Sequence, residues 1–367
     1  MFIAQRLSCM AFHTVLFASL LVIWMATPAL GRHVLDFISQ DLHMTANPIS
    51  FSRRVLAGAA LVMVCATAVP ALAAAQAAAT HTVVHAQGST QVPAAPLRVV
   101  VYDLGALDAM QALGIPVRGV PKAQFPHYMA GYGDAKYAVA GSLFEPDYEA
   151  LSQIKPDLII VGGRSAAKFE VLNKIAPTVD FSVKSGQMLQ DMERNITQLA
   201  PLYGKQAQGQ VLVAQMQKAV TELRQQASQA APGLLLMAVN ERVMPNAPGS
   251  RFGFLFDVFG AQSAIAAKDV PARGTAYTFD DVAKLNPEWI YVIDRNTATG
   301  SAAGGGAIIP SQKVFDNALI KGTAAGQRGQ VVFLDPKGWY LMGSTGPTAL
   351  LGNVAQLKQV YSAAALR

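Results

Sequence analysis

Length, composition and charge leave room for two ordinary folded lobes and argue against one large class of function. The chain has 367 residues, of which 52% are hydrophobic and 14% are charged, so it can bury one large core or two moderate ones. Its formal net charge is +6, but lysine and arginine are scattered singly instead of in runs. This distribution argues against a nucleic-acid-binding surface.

The N-terminal region has the features of an export leader, which is not expected to be part of the mature fold. Arg53 and Arg54 precede an apolar run that ends in small residues, which is typical of a signal peptide over about residues 44–73, cleaved near Ala73. The arginine pair also approximates the twin-arginine pattern, so general secretion and twin-arginine export both stay open. A second apolar stretch, within residues 1–43, is interpreted as an over-long gene start in preference to a membrane anchor.

Cysteine chemistry is not expected in the exported product. Both cysteines, Cys9 and Cys65, lie in the leader, so the mature chain has no thiol for a disulfide or a thiolate reaction. Cys65 also follows Val64 instead of the small residue that usually precedes a lipidated cysteine. We therefore expect a product without a lipid anchor, located in the periplasm.

After the leader, strands alternate with helices in the manner of an α/β lobe. The first elements are a β-hairpin, an apolar strand, a helix, a short strand and a fully buried strand. Their predicted ranges are 82–85 with 90–92, 97–102, 105–113, 117–120 and 158–161. This alternation predicts a lobe with a mainly parallel sheet over residues 82–204.

The middle of the chain is predicted to form one long helix. From about residue 205 to 229, apolar side chains recur at helical spacing in a segment rich in Gln and Ala. A second set of elements follows, with strands at 234–239, 289–293 and 331–334, helices at 252–259 and 354–364, and a Gly-rich loop at 302–307. The predicted domains are an N-terminal lobe (82–204), a connecting helix (205–230) and a C-terminal lobe (231–367). A stiff connection of this kind favours a largely pre-formed cleft.

One segment of the N-terminal lobe recurs in the C-terminal lobe. Residues 148–164 and 279–295 each begin with an aromatic residue and an acid, then form a short amphipathic helix, a Pro, an apolar strand and an Arg at the same offset. Arg164 and Arg295 therefore follow matching strands. Because ligands of open parallel sheets bind beyond the carboxyl ends of the strands, this duplication predicts a two-sided receptor for an anion.

A third arginine and several aromatic residues complete the predicted anion site. Arg251 lies at a Gly-rich turn into a helix, where backbone N–H groups and the helix dipole also favour anions. Core packing is the competing explanation for each aromatic residue, and a solvated surface charge is the competing explanation for any single arginine. The aromatic candidates are Tyr277, Trp339, Tyr340, Phe144, Phe125 and Tyr128.

Two acids at matching positions of the repeat suggest a contact with a partner. Glu149 and Asp280 each lie at the start of a helix, where an acid often does no more than complement the helix dipole. The alternative is a docking role, in which one acid per lobe pairs with a basic residue of a membrane protein.

Motifs of metal centres and catalytic sites are missing from the sequence. The mature chain has only His81, His85 and His127, which lack metal-ligand spacing. It also has no nucleophile elbow, no phosphate-binding loop and no cysteine nucleophile. We therefore expect a binding protein that is not an enzyme and has no intrinsic cofactor.

A set of short motifs is spread over about residues 82–360. They are Asp103–Asp108, Gly119–Lys122, Gly141–Asp147, Gly162–Ser165, Gly249–Gly253, Asp294–Asn296 and Leu334–Pro336 with Trp339 and Tyr340. Together they resemble the iron-siderophore substrate-binding proteins of ABC importers, and most closely the branch that binds catecholate or mixed catecholate-citrate siderophores. The resemblance implies the class III fold, in which two Rossmann-like lobes are joined by one long helix.

The resemblance also implies roles for individual residues. Arg164, Arg251 and Arg295 match the triad that grips a negatively charged ferric complex in that family. Glu149 and Asp280 fall at the positions used to dock the permease.

At one position the chain departs from the family pattern. Where the family has a His before a Gly, this chain has Arg273, which cannot ligate iron because a guanidinium stays protonated. Tyr340 matches a Tyr that, with that His, completes the iron shell of a tetradentate siderophore, and its phenolate is a hard oxygen donor. We favour a ligand that fills the coordination sphere of Fe³⁺ by itself and is recognised by charge and shape.

The predicted function is the capture of a ferric siderophore in the periplasm, by a monomer, and its delivery to an ABC permease at the inner membrane. The alternative within the same class is a receptor for another anionic chelate, such as haem, a corrinoid or ferric citrate. The alternative from a different class is an exported siderophore esterase, which needs a nucleophile and a base that the sequence does not present.

Overall fold

The described part of the chain is organised around two separate parallel sheets. The computed structural model describes residues 80–270 and 275–366, and residues 78–367 belong to one structural unit. The predicted leader and Arg273 lie outside the described residues. Within the part that the structure describes, no helix combines the length and the apolar character needed to cross a membrane.

An antiparallel hairpin precedes the first sheet, as predicted. Strands β1 (Thr80–His85) and β2 (Gly88–Pro93) pair around a tight turn in which Gly88 has a φ of 129°. This φ lies in a region that favours glycine. The amide of Ala86 donates a 2.9 Å hydrogen bond to the carbonyl of Asp180, so the hairpin is joined to the edge of the first sheet.

The first sheet has five parallel strands and forms the core of the N-terminal lobe. In chain order they are β3 (Val99–Val101), β4 (Gly119–Lys122), β5 (Ala138–Ser142), β6 (Leu158–Val161) and β7 (Thr178–Asp180), and their spatial order is β5-β4-β3-β6-β7. Every residue of β3 and β6 is buried, as expected for parallel strands covered on both faces. The helices of this lobe are α1 (Leu104–Ala112), α2 (Tyr148–Ile154) and α3 (Phe169–Leu172).

Two longer helices follow the first sheet. Helix α4 (Met188–Leu202) ends at a turn in which Gly204 has a φ of 64°, and α5 (Gln206–Ala227) then packs back against it. The buried residues of α5 include Met216, Val220, Leu223 and Ala227, which share one helix face. This helix realises the predicted long helix.

The second sheet has four strands, and one of them is antiparallel. The strands are β8 (Gly233–Val239), β9 (Arg242–Asn246), β10 (Trp289–Asp294) and β11 (Val331–Phe333), in the spatial order β11-β10-β8-β9. Strand β9 pairs antiparallel with β8 through a hairpin turn, which the sequence reading did not include. The short helices of this lobe are α6 (Phe254–Asp257), α7 (Phe279–Leu285), α8 (Arg295–Thr299), α9 (Ser311–Phe315), α10 (Ala318–Gly322) and α11 (Ala324–Gln327).

The last helix, α12 (Pro347–Ala365), joins the two halves of the fold. It packs against α1 and α5, and the carboxylate of Asp108 in α1 accepts a 3.0 Å hydrogen bond from the amide of Ala349 in its first turn. In a second tie, Lys337 Nζ donates a 2.8 Å hydrogen bond to the carbonyl of Phe125 in the N-terminal lobe. These bonds cross between the halves, and they favour the predicted pre-formed cleft.

The α/β class with two lobes and a long helix is confirmed, while several predicted bounds change. The helix expected over 252–259 is confined to Phe254–Asp257, and the C-terminal helix begins at Pro347 instead of 354. Pro347 occupies the first turn of this helix, where a proline costs no hydrogen bond and marks a helix start that the prediction did not use. The division into 82–204, 205–230 and 231–367 stays a prediction.

Candidate functional site

The two copies of the sequence repeat fold in the same way and place one arginine beyond each sheet. Helices α2 and α7 both end at a residue in the left-handed region, Lys155 with φ 50° and Asn286 with φ 43°. The buried strands β6 and β10 follow; Arg164 lies three residues past the carboxyl end of β6, and Arg295 directly past that of β10. The local sequence therefore delivers both guanidinium groups to the edge where ligands of parallel sheets bind.

These two arginines line one open cavity together with Arg251 and Tyr340. The cavity has a volume of about 500 Å³. Arg164 comes from the N-terminal lobe, whereas Arg251, Arg295 and Tyr340 come from the C-terminal lobe. A volume of this size lies in the range of pockets that hold a small organic ligand.

One turn of π-helix, Lys337–Leu341, sets the positions of two of the arginines. In this turn the amide of Met342 donates to the carbonyl of Lys337, five residues earlier. The carbonyls at its C-terminal end accept side-chain donors: Arg251 Nη2 donates to Tyr340 O at 3.1 Å, and Arg164 Nη2 donates to Leu341 O at 3.0 Å. Adjacent carbonyls thus hold guanidinium groups from both lobes beside the cavity.

Arg295 is held differently, by groups of its own loop. Its Nη1 donates to Asn296 Oδ1 at 3.1 Å and to the carbonyl of Ser301 at 3.2 Å. Both acceptors are neutral, so these bonds orient the guanidinium without neutralising its charge.

The cavity carries an excess of positive charge. Among the residues that the structure describes, no ion pair involves Arg164, Arg251 or Arg295. Burial lowers the pKa of Arg164, and the neighbouring charge of Arg251 lowers it further, while Asp103 and Tyr340 oppose the shift. An arginine still stays protonated near neutral pH. The site therefore favours a ligand with several negative charges.

One carboxylate also lies at the cavity, and it serves mainly the local structure. Asp103 caps helix α1, since its Oδ1 accepts a 2.9 Å hydrogen bond from the amide of Ala106. Burial raises the pKa of Asp103, against the opposing effects of its backbone hydrogen bonds and of Arg164.

Besides Arg164 and Asp103, the N-terminal lobe contributes an apolar patch to the wall of the cavity. It includes Leu143, Phe144, Val183 and Met188, and Phe144 is 57% exposed. Phe144 was among the aromatic candidates, whereas Val183 and Met188 were not predicted. Val183 lies three residues past the carboxyl end of β7, a strand that was not predicted, so the rule that identified Arg164 had no strand to apply to here.

Tyr340 faces the cavity, and its ring packs against a cation. The guanidinium carbon of Arg251 lies 5.0 Å from the centre of the Tyr340 ring and 4.7 Å from that of Phe252. This distance is within the range of a cation–π contact. Within the described residues, no three His, Cys, Asp or Glu side chains gather as metal ligands. Iron ligation by Tyr340 stays a prediction.

Trp339 points away from the cavity, which corrects the expectation that its ring faces the ligand. Its side chain is fully buried, stacked on Phe254 at 4.9 Å between ring centres and edge-on to Phe259 at 5.9 Å. Consecutive residues of the π-helical turn point in different directions, so one ring enters the core while the next faces the cleft.

Tyr277 is also placed away from the cavity. Its backbone pairs with Val243 beside strand β9, and its side chain packs against the second core of the C-terminal lobe. Its hydroxyl donates a 3.5 Å hydrogen bond to the carbonyl of Asp269. Burial is the main cause of the raised pKa of Tyr277, so this hydroxyl is not poised to act as a phenolate.

The two predicted docking acids occupy equivalent positions on the surface. Glu149 and Asp280 lie in the first turns of α2 and α7, and both are exposed. In the part of the chain that the structure describes, neither forms an ion pair. Both carboxylates are therefore available for contact with basic groups of a partner.

The comparisons with known proteins identify the family. Residues 99–337 match the family described as periplasmic binding protein, and the chain belongs to this family. The petrobactin-binding protein YclQ of Bacillus subtilis is 31% identical over 260 residues, which cover 70% of this chain and 80% of that protein. The ferric-anguibactin-binding protein FatB of Vibrio anguillarum is 27% identical over 268 residues, with coverage of 70% and 80%.

Solved structures give the same result for the fold. The crystal structure of YclQ superimposes with a TM-score of 0.71 at 30% identity, covering 77% of this chain and 99% of that one. The catecholate-siderophore-binding protein VctP of Vibrio cholerae superimposes with a TM-score of 0.70 at 29% identity, covering 77% and 100%. Both likenesses extend over nearly all of the known chain.

Proposed function

We propose that this protein binds a ferric siderophore of the catecholate or mixed catecholate-citrate type in the periplasm and delivers it to an ABC permease. The observation that carries the proposal is the cavity in which Arg164, Arg251 and Arg295 converge from both lobes, beside Tyr340 and with none of the three in an ion pair among the described residues. The names of YclQ, FatB and VctP, which refer to petrobactin, ferric anguibactin and a catecholate siderophore, support the ligand class.

The chemistry of the lining matches this kind of ligand. A ferric catecholate combines negative charge with flat aromatic rings, and the cavity combines three cations with the apolar surface of Leu143, Phe144 and Met188. Each charge-assisted hydrogen bond contributes about 1.5 to 3 kcal/mol, so three arginines supply roughly 5 to 9 kcal/mol. Nanomolar affinity corresponds to about 12 kcal/mol, which leaves a moderate share for aromatic and apolar contacts.

The arrangement favours a ligand whose own donor atoms fill the coordination sphere of its iron. Tyr340 is the one predicted iron ligand that lies on the cavity, and Arg273, which replaces the family's His, adds a further cation in the sequence. Guanidinium groups bind the negative outer surface of a chelate and do not displace its donors. We infer recognition of an intact complex by charge and shape, with no chemical step.

Delivery is proposed to use the acids of the two repeat copies. Glu149 and Asp280 are exposed at equivalent helix starts, one in each lobe. A partner with two basic sites can therefore contact both lobes at the same time. Such contacts set orientation and encounter rate more than affinity.

The test is a titration of the mature protein with defined ferric complexes. Ferric petrobactin, ferric anguibactin, ferric citrate, a ferric hydroxamate and haem are added separately, and the quenching of Trp289 and Trp339 is followed. We expect saturable, submicromolar binding of a catecholate complex, which chromatography then recovers intact. If only ferric citrate or haem binds, the proposed catecholate ligand is wrong and that complex takes its place. If no complex binds, the proposal is contradicted. If the ligand is recovered in cleaved form, the result favours the siderophore esterase.

A further inference from the structure

We propose that Asn240 and Asn296 are positioning residues for Arg295, acting as a two-amide relay that holds one edge of its guanidinium toward the cavity. The inference deepens the proposed function and rests on it only for the ligand, since the relay itself is a property of the protein without ligand. Neither asparagine lines the cavity, and the sequence analysis gave neither of them a role.

The relay is a continuous chain of hydrogen bonds. Arg295 Nη1 donates to Asn296 Oδ1 at 3.1 Å, Asn296 Nδ2 donates to Asn240 Oδ1, and Asn240 Nδ2 donates to the carbonyl of Ala303 at 2.8 Å. Asn296 is buried to 1% exposure. The chain therefore links the β8–β9 turn, helix α8 and the Gly-rich loop 302–307.

The two ends of the relay determine the orientation of both amides. A guanidinium only donates hydrogen bonds, so the group of Asn296 that faces Arg295 has to be its oxygen. A carbonyl only accepts, so the group of Asn240 that faces Ala303 has to be its nitrogen. Turning either amide over would place two donors or two acceptors in contact. Only one orientation of the two amides therefore satisfies every hydrogen bond of the relay.

The relay leaves one edge of Arg295 available for a ligand. Both hydrogen bonds of the guanidinium use Nη1, to Asn296 and to the carbonyl of Ser301. Within the described residues, no hydrogen bond of Nε or Nη2 accompanies them. The Nε–Nη2 edge is the side that forms paired hydrogen bonds with an anionic group, so an anchor at Nη1 presents the guanidinium ready for such a contact.

The backbone explains why asparagine serves at both positions. Asn240 has a φ of 55°, in the left-handed region that Asn tolerates better than most residues. Asn296 lies in the first turn of the short helix α8, which ends at Gly300 with a φ of 65°. A compact side chain with one donor group (NH2) and one acceptor group (C=O) fits both sites, whereas a longer amide would not keep the same spacing.

The first experiment measures how strongly Arg295 is held in the absence of any ligand, from the rate of its chemical modification. Asn296→Ala and Asn240→Gly are compared with the unaltered protein, and glycine is chosen at 240 because it keeps the left-handed φ. Phenylglyoxal modification of each arginine is followed by peptide mass spectrometry. We expect the rate at Arg295 to rise roughly threefold in both variants, with the rate at Arg164 unchanged as an internal reference.

A matched control separates the relay from a general loss of stability. Asn286→Gly replaces another left-handed asparagine, whose Oδ1 accepts a hydrogen bond from the amide of Ala324 and has no link to Arg295. This variant is expected to leave the modification rate of Arg295 unchanged. An equal rise in the control, or no rise in either relay variant, overturns the proposal.

The second experiment is a double-mutant cycle on affinity, with ferric petrobactin as the probe. We expect Asn296→Ala to weaken binding roughly fivefold when Arg295 is present and to have almost no effect when combined with Arg295→Ala. A merely structural role would weaken binding by the same factor in both backgrounds, and that result would also reject the relay. If petrobactin and the other complexes fail to bind at all, the proposed function falls, while the modification experiment still decides on the relay.

Discussion

The two copies of the internal repeat place their arginines at matching points but secure them in different ways. In both copies a helix ends in the left-handed region, a proline and a buried strand follow, and an arginine lies past the strand. Arg164 then bonds across the cleft to Leu341 O, whereas Arg295 bonds to its own loop. The comparison teaches that a repeated sequence positions a backbone, while the surroundings of each copy choose the partners of its side chain.

The largest expected effect is the joint loss of both repeat arginines. Arg164→Ala combined with Arg295→Ala removes one cation from each lobe and is expected to weaken ferric-catecholate binding by roughly 3 to 6 kcal/mol, with about half of that for each single change. Isothermal titration calorimetry measures both. Arg118→Ala, which removes an exposed arginine outside the cavity lining, is the control.

The single variants sharpen the comparison further. Arg164→Ala breaks one hydrogen bond between the lobes, so it is expected to lower the free energy of unfolding by about 1 kcal/mol as well. Arg295→Ala breaks two hydrogen bonds within its own loop and leaves Oδ1 of the buried Asn296 without its donor, so its loss of stability is expected to be at least as large. Urea denaturation measures both changes. Unchanged affinity in all three of the Arg164, Arg251 and Arg295 single variants would reject the cavity as the binding site.

A second comparison concerns the acids that the repeat places on the surface. Glu149→Ala combined with Asp280→Ala is expected to reduce iron uptake roughly tenfold in cells that carry the cognate permease, because both contacts with the partner are lost. Ligand affinity is expected to stay the same, since neither acid lines the cavity. Uptake is measured with radioactive iron bound to the siderophore.

The control for uptake is Glu170→Ala, which removes an exposed acid at the start of α3. If this variant lowers uptake as much as the double change does, the effect is one of net charge and the docking role is lost. If uptake in the Glu149 and Asp280 variant is normal, the docking role is lost directly.

The smallest expected effect is a change in the free energy of unfolding when the residues that end helices α2 and α7 are replaced. Lys155 is exposed and left-handed, so Lys155→Gly is expected to raise the free energy of unfolding by about 0.5 kcal/mol as the backbone strain is removed. Asn286→Gly is expected to lower it by a similar amount, because the side chain of Asn286 accepts a hydrogen bond from Ala324. Chemical denaturation that shifts both variants in the same direction would contradict this difference.

Much of the fold was predictable because its signals are local. The hairpin, the long helix and buried strands such as β6 and β10 follow from the spacing of apolar residues, and Arg164 and Arg295 follow from the rule that ligands bind past strand ends. Strand β9 was missed, since Arg242–Asn246 is short and contains a proline that is tolerated only at a sheet edge.

The pair Trp339 and Tyr340 marks the limit of that reasoning. Both are large aromatic residues after the same loop, and periodicity assigns neither a strand nor a regular helix. The π-helical turn buries Trp339 against Phe254 and exposes Tyr340 to the cavity. A π-helical hydrogen bond spans one residue more than an α-helical one, and no residue pattern signals this change here. The change places Trp339 in the core and Tyr340 at the cavity.

By itself, the amino-acid sequence determined that Arg164 and Arg295 lie past the ends of buried strands, because strand length, turn residues and burial are set by neighbouring residues in the chain. Only the tertiary structure decided what those arginines meet. Arg164 donates a hydrogen bond to Leu341 O in the other lobe, and Asn296, the neighbour that binds Arg295, is itself held by the distant Asn240. Such contacts depend on how segments far apart in sequence pack together, and no local pattern carries that information.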